Sequence, residues 1–157
     1  MAEDVQTTQY LSFTLADEIF AVDVARVREI LEITSITKVP QTPDFMSGVI
    51  NLRGSVVPVI DMRLKFGMSE TVRTVNTCII VVEVLMDGEI IVLGSLADSV
   101  QEVIEMEPDS IEAAPHIGTQ LNTDFIKGMC KHDGRFVMIL DIDKVFSGEE
   151  LAEAQSI

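Results

Sequence analysis

An internal repeat is the feature that most restricts how this chain can fold. Shifting residues 44–66 by 80 positions, onto residues 124–146, aligns seven identical residues out of 23. Ordinary composition would give about one or two identities. A shorter echo pairs VREILE (27–32) with VQEVIE (100–105). Two copies of one structural unit that bury their apolar faces together are therefore predicted. The identical pairs are Asp44/Asp124, Phe45/Phe125, Gly48/Gly128, Gly54/Gly134, Val57/Val137, Asp61/Asp141 and Phe66/Phe146.

The apolar segments of both copies are short, rich in β-branched residues and separated by turn residues, which is typical of β-strands. About five such strands fit in a unit of about 65 residues, the content of a small barrel. We therefore predict an all-β domain over residues 8–148, with approximate repeats 10–70 and 75–147. The repeats should form two five-stranded barrels, related by a pseudo-two-fold axis, around a shared hydrophobic core. The predicted strands cover residues 10–15, 19–22, 49–52, 56–60, 78–86, 89–93, 100–106, 128–130 and 136–142.

Two segments are predicted to be helical. Asp23 can cap a short helix over residues 24–31, whose apolar residues recur at helical spacing. This helix either closes one end of a barrel or forms a docking patch. In the patch, Val24 or Val27 would stay partly exposed beside Arg26, Arg28 and Glu29. The polar segment 148–155 is predicted to form a terminal helix, within a tail that spans residues 149–157.

The charge of the chain restricts its partners. Eleven basic residues against 26 acidic ones give a net charge of −15, which repels phosphate backbones and anionic lipid headgroups. The first residues lack the pattern of a signal peptide, and every apolar run is far shorter than the roughly 20 residues of a membrane span. We therefore expect a cytoplasmic protein that binds no nucleic acid and inserts into no membrane.

The motifs of common enzyme classes are absent from the sequence. It contains no G-x-S-x-G, no phosphate-binding loop and no CxxC. Cys78 and Cys130 lie within apolar runs, which favours buried thiols and leaves a disulfide open. His132 falls at a hairpin tip, where a solvated side chain is expected, and His116 has no nucleophile context. We predict no enzymatic activity, no catalytic residues, no cofactor and no metal.

The stretch GVINLRGSVVPVID (48–61) places one arginine between two apolar runs. Gly54 can adopt the positive φ of a tight hairpin turn, and Gly134 repeats it in the second copy. The tip sequence NLRG becomes KHDG there, so Arg53 corresponds to Asp133. Because the hairpin does not need arginine, we predict that Arg53 contacts a partner. Gly48 is common to both copies, which favours a backbone requirement.

The longer run GVINLRGSVVPVIDMRLKFG (48–67) resembles the signature of the CheW family, the coupling proteins of bacterial chemotaxis. That signature combines NLRG, a proline between apolar pairs, D-L-R and a closing phenylalanine, and only Met62 departs from it. The resemblance extends over nearly the whole chain. It implies two five-stranded SH3-like barrels and a non-catalytic adaptor. The adaptor would join the cytoplasmic tips of transmembrane chemoreceptors to the CheW-like regulatory domain of the histidine kinase CheA, at membrane-bound receptor arrays.

The resemblance also implies which residues bind partners, without dividing them between kinase and receptor. The chain lacks the kinase domains of CheA and the receiver domain of CheV proteins, which implies a stand-alone adaptor. Two alternatives stay open: a scaffold of a related non-chemotaxis pathway, and a hydrolase or thiol enzyme using Cys130 and His132. The partner-binding residues carried over are Val24, Val27, Glu29, Gly48, Arg53 and Val56.

Overall fold

Strands dominate the computed structural model, which describes residues 7–33, 35–112 and 125–145. One short helix, α1 (Met62–Lys65), and 3-10 turns at Val24–Arg26 and Pro108–Ser110 accompany ten strands in the described part. The strands are β1 (Thr8–Leu15), β2 (Glu18–Asp23), β3 (Val27–Glu32), β4 (Met46–Leu52), β5 (Ser55–Asp61), β6 (Cys78–Met86), β7 (Glu89–Ala97), β8 (Ser99–Met106), β9 (Ile126–His132) and β10 (Arg135–Leu140).

The strands form two five-stranded sheets of the same design. Sheet A has the order β8-β1-β2-β10-β9, and sheet B has the order β3-β6-β7-β5-β4. One internal pair of each sheet is parallel, β2 with β10 and β7 with β5, and the other pairs are antiparallel. Hairpin β4–β5 therefore takes the place in sheet B that β9–β10 takes in sheet A. The predicted all-β fold with two five-stranded, SH3-like barrels is confirmed.

Each sheet takes strands from both sequence repeats. Strands β1 and β2 join β8, β9 and β10 in sheet A, whereas β3, β4 and β5 join β6 and β7 in sheet B. The chain crosses between the sheets at Val24–Arg26 and at Asp98, the single residue between β7 and β8. A one-residue link is shorter than the common two-residue hairpin loop, so β8 leaves the sheet of β7. The ranges 10–70 and 75–147 mark sequence repeats, and each barrel combines strands from both of them.

The core explains why several strands are apolar on both faces. In β6, Ile80 and Val82 face a cluster shared by the two sheets, whereas Ile79 and Val81 face the interior of sheet B's own barrel. Sheet A has a matching interior cluster that includes Ile139. Burial of one such side chain stabilises the fold by about 1.5–3 kcal/mol. The predicted shared core is therefore present, flanked by one smaller cluster in each barrel.

Backbone contacts confirm that the repeats are equivalent. The N–H of Asp61 donates to the carbonyl of Phe45 at 2.6 Å, and the N–H of Asp141 donates to the carbonyl of Phe125 at 2.8 Å. Lys65 Nζ lies 5.0 Å from the centroid of the Phe45 ring, and the Phe125 ring stacks on the Phe66 ring. The pair Phe66/Phe146 cannot be compared, because residue 146 lies outside the described residues.

A ladder of aromatic rings crosses the shared core. The ring centroids of Phe13 and Phe20, on neighbouring strands of sheet A, lie 6.1 Å apart. Phe20 lies 5.6 Å from Phe66, which ends α1. Phe66 stacks on Phe125 at 4.5 Å, with only 3° between the ring planes. Phe66 follows β5 of sheet B and Phe125 precedes β9 of sheet A, so this stack joins the two sheets.

The predicted helix over residues 24–31 is wrong beyond its first turn. Asp23 does cap a turn, because its carboxylate accepts the N–H of Ala25 at 2.9 Å, but the turn ends at Arg26. The chain then continues as β3, which pairs antiparallel with β6. The predicted terminal helix, 148–155, and the tail 149–157 lie outside the described residues. No helix within the described ranges is long and apolar enough to cross a membrane.

Candidate partner-binding surface

The tip of the β4–β5 hairpin holds Arg53 in an unusual backbone conformation. Leu52 pairs with Ser55, which leaves a two-residue loop. Both loop residues have positive φ, 51° at Arg53 and 89° at Gly54, as the tightest hairpin turns require. Asn51 Oδ1 accepts the N–H of Gly54 at 2.9 Å and fixes the turn. The expected positive φ at Gly54 is confirmed, and the left-handed conformation of Arg53 itself is an additional finding.

The second copy builds the same turn without arginine. Asp133 and Gly134 have φ values of 52° and 79°. Aspartate adopts the left-handed region more readily than arginine does, because its short side chain can bond locally to the backbone. The backbone therefore gives no reason for arginine at position 53.

The guanidinium of Arg53 reaches across to β3. Its Nη1 donates to Glu29 Oε1 at 3.2 Å, and its Nη2 donates to Glu29 Oε2. The hydrogen bond from Arg53 lowers the pKa of Glu29 below its ordinary value. The same bond raises the pKa of Arg53. The arginine side chain remains 72% exposed, against 26% for the glutamate, so the guanidinium is paired in the free protein and still accessible.

Apolar side chains surround this ion pair. Val56 and Ile90 are 64% and 65% exposed, and both line a groove of about 530 Å³ together with Arg28, Glu29 and Arg53. We call this feature the Arg53 groove, defined by those five residues. Exposed apolar groups beside a rigid charged fork are the composition expected at the centre of a protein–protein contact.

The six residues predicted to bind partners do not all reach this groove. Three of them do: Glu29, Arg53 and Val56. Val24 and Val27 are half-buried and pack against the shared core. Gly48 is buried, and a Cβ added there would lie 2.2 Å from the carbonyl oxygen of Thr37.

Sequence reasoning missed one residue of the groove, Ile90, and placed another, Arg28, on a helix. Arg28 Nε bonds Glu83 Oε2 at 3.2 Å across β3 and β6. Ile90 could have been found from strand alternation, because its neighbour Ile91 is buried and consecutive side chains point to opposite faces. Arg28 was predicted to lie beside a possible docking patch on a helix, whereas it lies on β3.

The matching place on the second barrel has a different charge pattern. Glu102 stands where VQEVIE repeats Glu29, but the arginine is replaced by Asp133. His132 Nε2 lies 3.6 Å from Glu102 Oε2 and 3.4 Å from Asp133 Oδ2, so two carboxylates flank the imidazole. Its side chain is 33% exposed. These ligand atoms lie within 4.8 Å of one another, but the group is largely open to solvent and we assign no ion to it.

The cysteines lack the features of reactive thiols. Cys78 and Cys130 are both buried and free, as the apolar context predicted. Burial raises the pKa of each thiol, which leaves less thiolate at neutral pH than an ordinary cysteine has. Nucleophilic cysteines need the opposite shift.

Two five-stranded barrels that share a core, with an exposed groove at a hairpin tip, define the structural class, an all-β protein of two barrels. The crystal structure of the scaffolding protein TtCheW from Thermoanaerobacter tengcongensis is similar, with a TM-score of 0.81 and 35% sequence identity over 92% of this chain and 91% of that one. A sequence model of the CheW-like domain matches residues 9–150.

Named relatives agree with this match. The chemotaxis protein CheW of Klebsiella aerogenes is 34% identical over 157 residues, covering 100% of this chain and 92% of the relative. The chemotaxis protein CheW of Bacillus subtilis is 32% identical over 156 residues, covering 98% and 97%. The chain belongs to the CheW family of non-catalytic chemotaxis scaffold proteins.

Proposed function

We propose that this protein is an adaptor that couples the cytoplasmic tips of chemoreceptors to the histidine kinase CheA, and that the Arg53 groove is part of its coupling surface. The observation that carries this proposal is the exposed guanidinium of Arg53, held at a turn whose backbone disfavours arginine. A residue retained against its local conformational preference has a role beyond the turn.

The chemistry of the groove supports a protein partner. A guanidinium offers five donors in a fixed fork, which suits a carboxylate or a row of backbone carbonyls. Val56 and Ile90 add apolar area beside it. The complementary surface therefore presents an apolar side chain next to an acidic group, a combination that a helical receptor tip or a second small barrel can supply.

The remaining three predicted residues are proposed to act indirectly. Val24 and Val27 pack under the start of β3 and so hold Glu29 in place. Gly48 allows β4 to approach Thr37 closely, which fixes the strand that carries Arg53. Their substitution would change coupling by displacing the groove rather than by removing a direct contact.

The place of action is proposed to be the cytoplasmic face of receptor arrays. The net charge of −15 opposes direct binding to anionic lipids or nucleic acid, so recruitment through receptor and kinase contacts accounts for the location.

Co-sedimentation with a receptor cytoplasmic fragment and with CheA, each alone, tests the proposal. Arg53→Asn should weaken binding to at least one of them about thirtyfold, the effect of losing an interface hot spot. Arg73→Asn is the matched control, because Arg73 is exposed and lies outside the groove. Failure of the wild-type protein to bind either partner would contradict the coupling function, and unchanged binding by Arg53→Asn would exclude the groove.

A further inference from the structure

A partly buried ion pair links the two barrels at the crossing formed by Asp98. Arg63, just after β5, donates from Nε to both carboxylate oxygens of Asp98 at 3.1 Å and from Nη2 to Oδ2 at 2.6 Å. Asp98 is the residue at which the chain passes from sheet B to sheet A. Its Oδ2 also accepts the N–H of Ala16, in the β1–β2 turn of sheet A, at 2.8 Å. We call this group the Arg63 clamp, formed by Arg63, Asp98 and Ala16.

The crossing at Val24–Arg26 carries a matching group. Arg26 lies in the 3-10 turn between β2 and β3, and it donates two hydrogen bonds to Asp143, one of them 2.7 Å from Nη1 to Oδ1. Asp143 Oδ1 also accepts the N–H of Leu85, in β6 of sheet B, at 2.7 Å. Arg26 Nη1 donates further to the carbonyl of Glu83 at 3.0 Å. We call this group the Arg26 clamp, formed by Arg26, Asp143 and Leu85.

The clamps occupy equivalent places with reversed polarity. Arg63 and Asp143 each stand two residues after an aspartate common to both repeats, Asp61 or Asp141, whose side chain accepts their own N–H. At this position the first repeat supplies the cation and the second supplies the anion. The opposite charge comes from the crossing segment in both cases. In each clamp the aspartate also binds a backbone N–H of the other sheet.

We infer that the Arg63 and Arg26 clamps fix the relative orientation of the two barrels, and that their arginines are positioning residues for coupling. The second part rests on the proposed adaptor function. All four charged side chains are at most about one-third exposed, so water screens these pairs less than it screens the Arg53–Glu29 pair. Bidentate arginine–carboxylate geometry adds direction to the attraction, and the added backbone bond ties each pair to the opposite sheet.

The orientation can be measured without any partner. Spin labels on cysteines introduced at Glu89 of β7 and Val103 of β8 report the distance between the barrels, since both positions are exposed and the native thiols are buried. One narrow distance distribution is expected for the otherwise unchanged chain. It should broaden in Arg63→Ala and in Arg26→Ala. Arg28→Ala is the matched control, because the Arg28–Glu83 pair lies within sheet B, and it should leave the distribution narrow.

Two further variants distinguish a change in the relative orientation of the barrels from a failure to fold. Arg63→Lys keeps the charge but not the bidentate fork, so it should broaden the distribution even if Arg63→Ala does not fold. The double variant Arg63→Asp with Asp98→Arg gives the Arg63 clamp the charge arrangement of the Arg26 clamp. It should restore a narrow distance distribution. Narrow, native distances in Arg63→Lys and in any folded alanine variant would overturn the inference.

Activation of the kinase by receptor and adaptor together provides a second measurement of the clamp's role. With receptor fragment and CheA present, Arg63→Lys should bind each partner alone as the wild type does but activate the kinase roughly two- to thirtyfold less well, the usual range for residues that transmit coupling. Native activation by Arg63→Lys would overturn the positioning role. Absence of activation by the wild-type protein would instead contradict the adaptor function itself and leave the distance result as the test of orientation.

Discussion

At the scale of single residues, two positions relate differently to the local backbone. At position 53 the backbone conformation disfavours the residue that is present, whereas at position 48 the structure requires glycine. Arg53 occupies a left-handed conformation that its counterpart Asp133 fits better. Gly48, by contrast, is dictated by its surroundings, since no other residue fits against Thr37. We therefore propose that the residue at position 53 serves partner binding, whereas the residue at position 48 is set by packing.

Replacing Arg53 tests that distinction. Arg53→Asn should leave the melting temperature unchanged or raise it, because asparagine tolerates positive φ. Thermal unfolding followed by circular dichroism measures this, with Arg73→Asn as the control at an exposed site away from the groove. A clear drop in melting temperature for Arg53→Asn alone would mean that its guanidinium is a structural element.

The Arg53–Glu29 pair has a pH signature. Because the pKa of Glu29 is lowered in the folded state, the stabilisation from this pair is fully present above the unfolded-state pKa and is lost as the pH falls through the folded one. An NMR titration of the Glu29 carboxyl should place its pKa below that of an ordinary glutamate. In Arg53→Asn the pKa should move back up, and an identical titration in both proteins would contradict the pairing.

Adding a single methyl group at Gly48 is expected to destabilise the fold strongly. Gly48→Ala should lower the free energy of unfolding by more than about 3 kcal/mol, because strain at positive φ adds to a clash with backbone. Gly88→Ala is the matched control. Gly88 also has positive φ, 81°, but among the described residues no atom beyond its chain neighbours lies within 4 Å of an added Cβ. A cost of about 1–2 kcal/mol is expected for the left-handed conformation alone. Urea unfolding measures both, and equal losses would refute the close-contact explanation.

At the scale of secondary-structure elements, most strands can be predicted from the sequence. The patterns that define them, apolar–polar alternation and flanking turn residues, involve only neighbouring residues. Strand β6 was predicted with its observed bounds, Cys78–Met86. Residues 27–32 were misassigned because their apolar residues happen to fall at helical spacing. Pairing with β6 overrides that spacing and leaves Ile30 exposed. The internal repeat could have corrected this assignment, because the matching segment VQEVIE (100–105) was itself predicted to be a strand.

The candidate surface was predictable only in part, because it too depends on contacts between strands. The repeat singles out Arg53 because the two copies differ at that position. The groove around it combines β3, β5 and β7, and only the folded sheet brings Ile90 beside Val56. Contacts between strands that are distant in the sequence leave no local pattern.

The aromatic stack between the sheets should contribute a measurable coupling. Phe66→Leu and Phe125→Leu remove one ring each from the pair that stacks at 4.5 Å. A double-mutant cycle in urea should give a coupling free energy of about 0.5–1.5 kcal/mol, the range for aromatic pairs. Phe125→Leu combined with Phe13→Leu is the control. Phe20 and Phe66 both lie between these two rings, no single ring contacts both, and their effects should add. Strictly additive losses for Phe66 and Phe125 would contradict the stack.

At the scale of the whole molecule, the exchange of strands between repeats makes two barrels into one folding unit. The sequence repeat reveals two equivalent copies but not which copy completes which sheet. That outcome depends on the short crossings at Val24–Arg26 and Asp98, which send the chain from one sheet into the other. Neither half of the sequence contains a complete sheet.

Separated halves should therefore fail to fold alone. A fragment of residues 1–72 carries only β1 and β2 of sheet A, and an isolated two-stranded hairpin is marginally stable at best. Circular dichroism and NMR should show it unfolded, and mixing it with residues 73–157 should restore strand structure. A folded 1–72 fragment with a five-stranded barrel would contradict the observed topology.

Kinase activation tests the adaptor account most directly. CheA, a receptor cytoplasmic fragment and increasing amounts of this protein are combined, and autophosphorylation is measured against protein concentration. The wild-type protein and Arg73→Asn should activate the kinase alike. Folded Arg53→Asn should need about thirtyfold more protein for half-maximal activation. Full activation by folded Arg53→Asn at wild-type concentrations would contradict the claim that the Arg53 groove couples receptor to kinase.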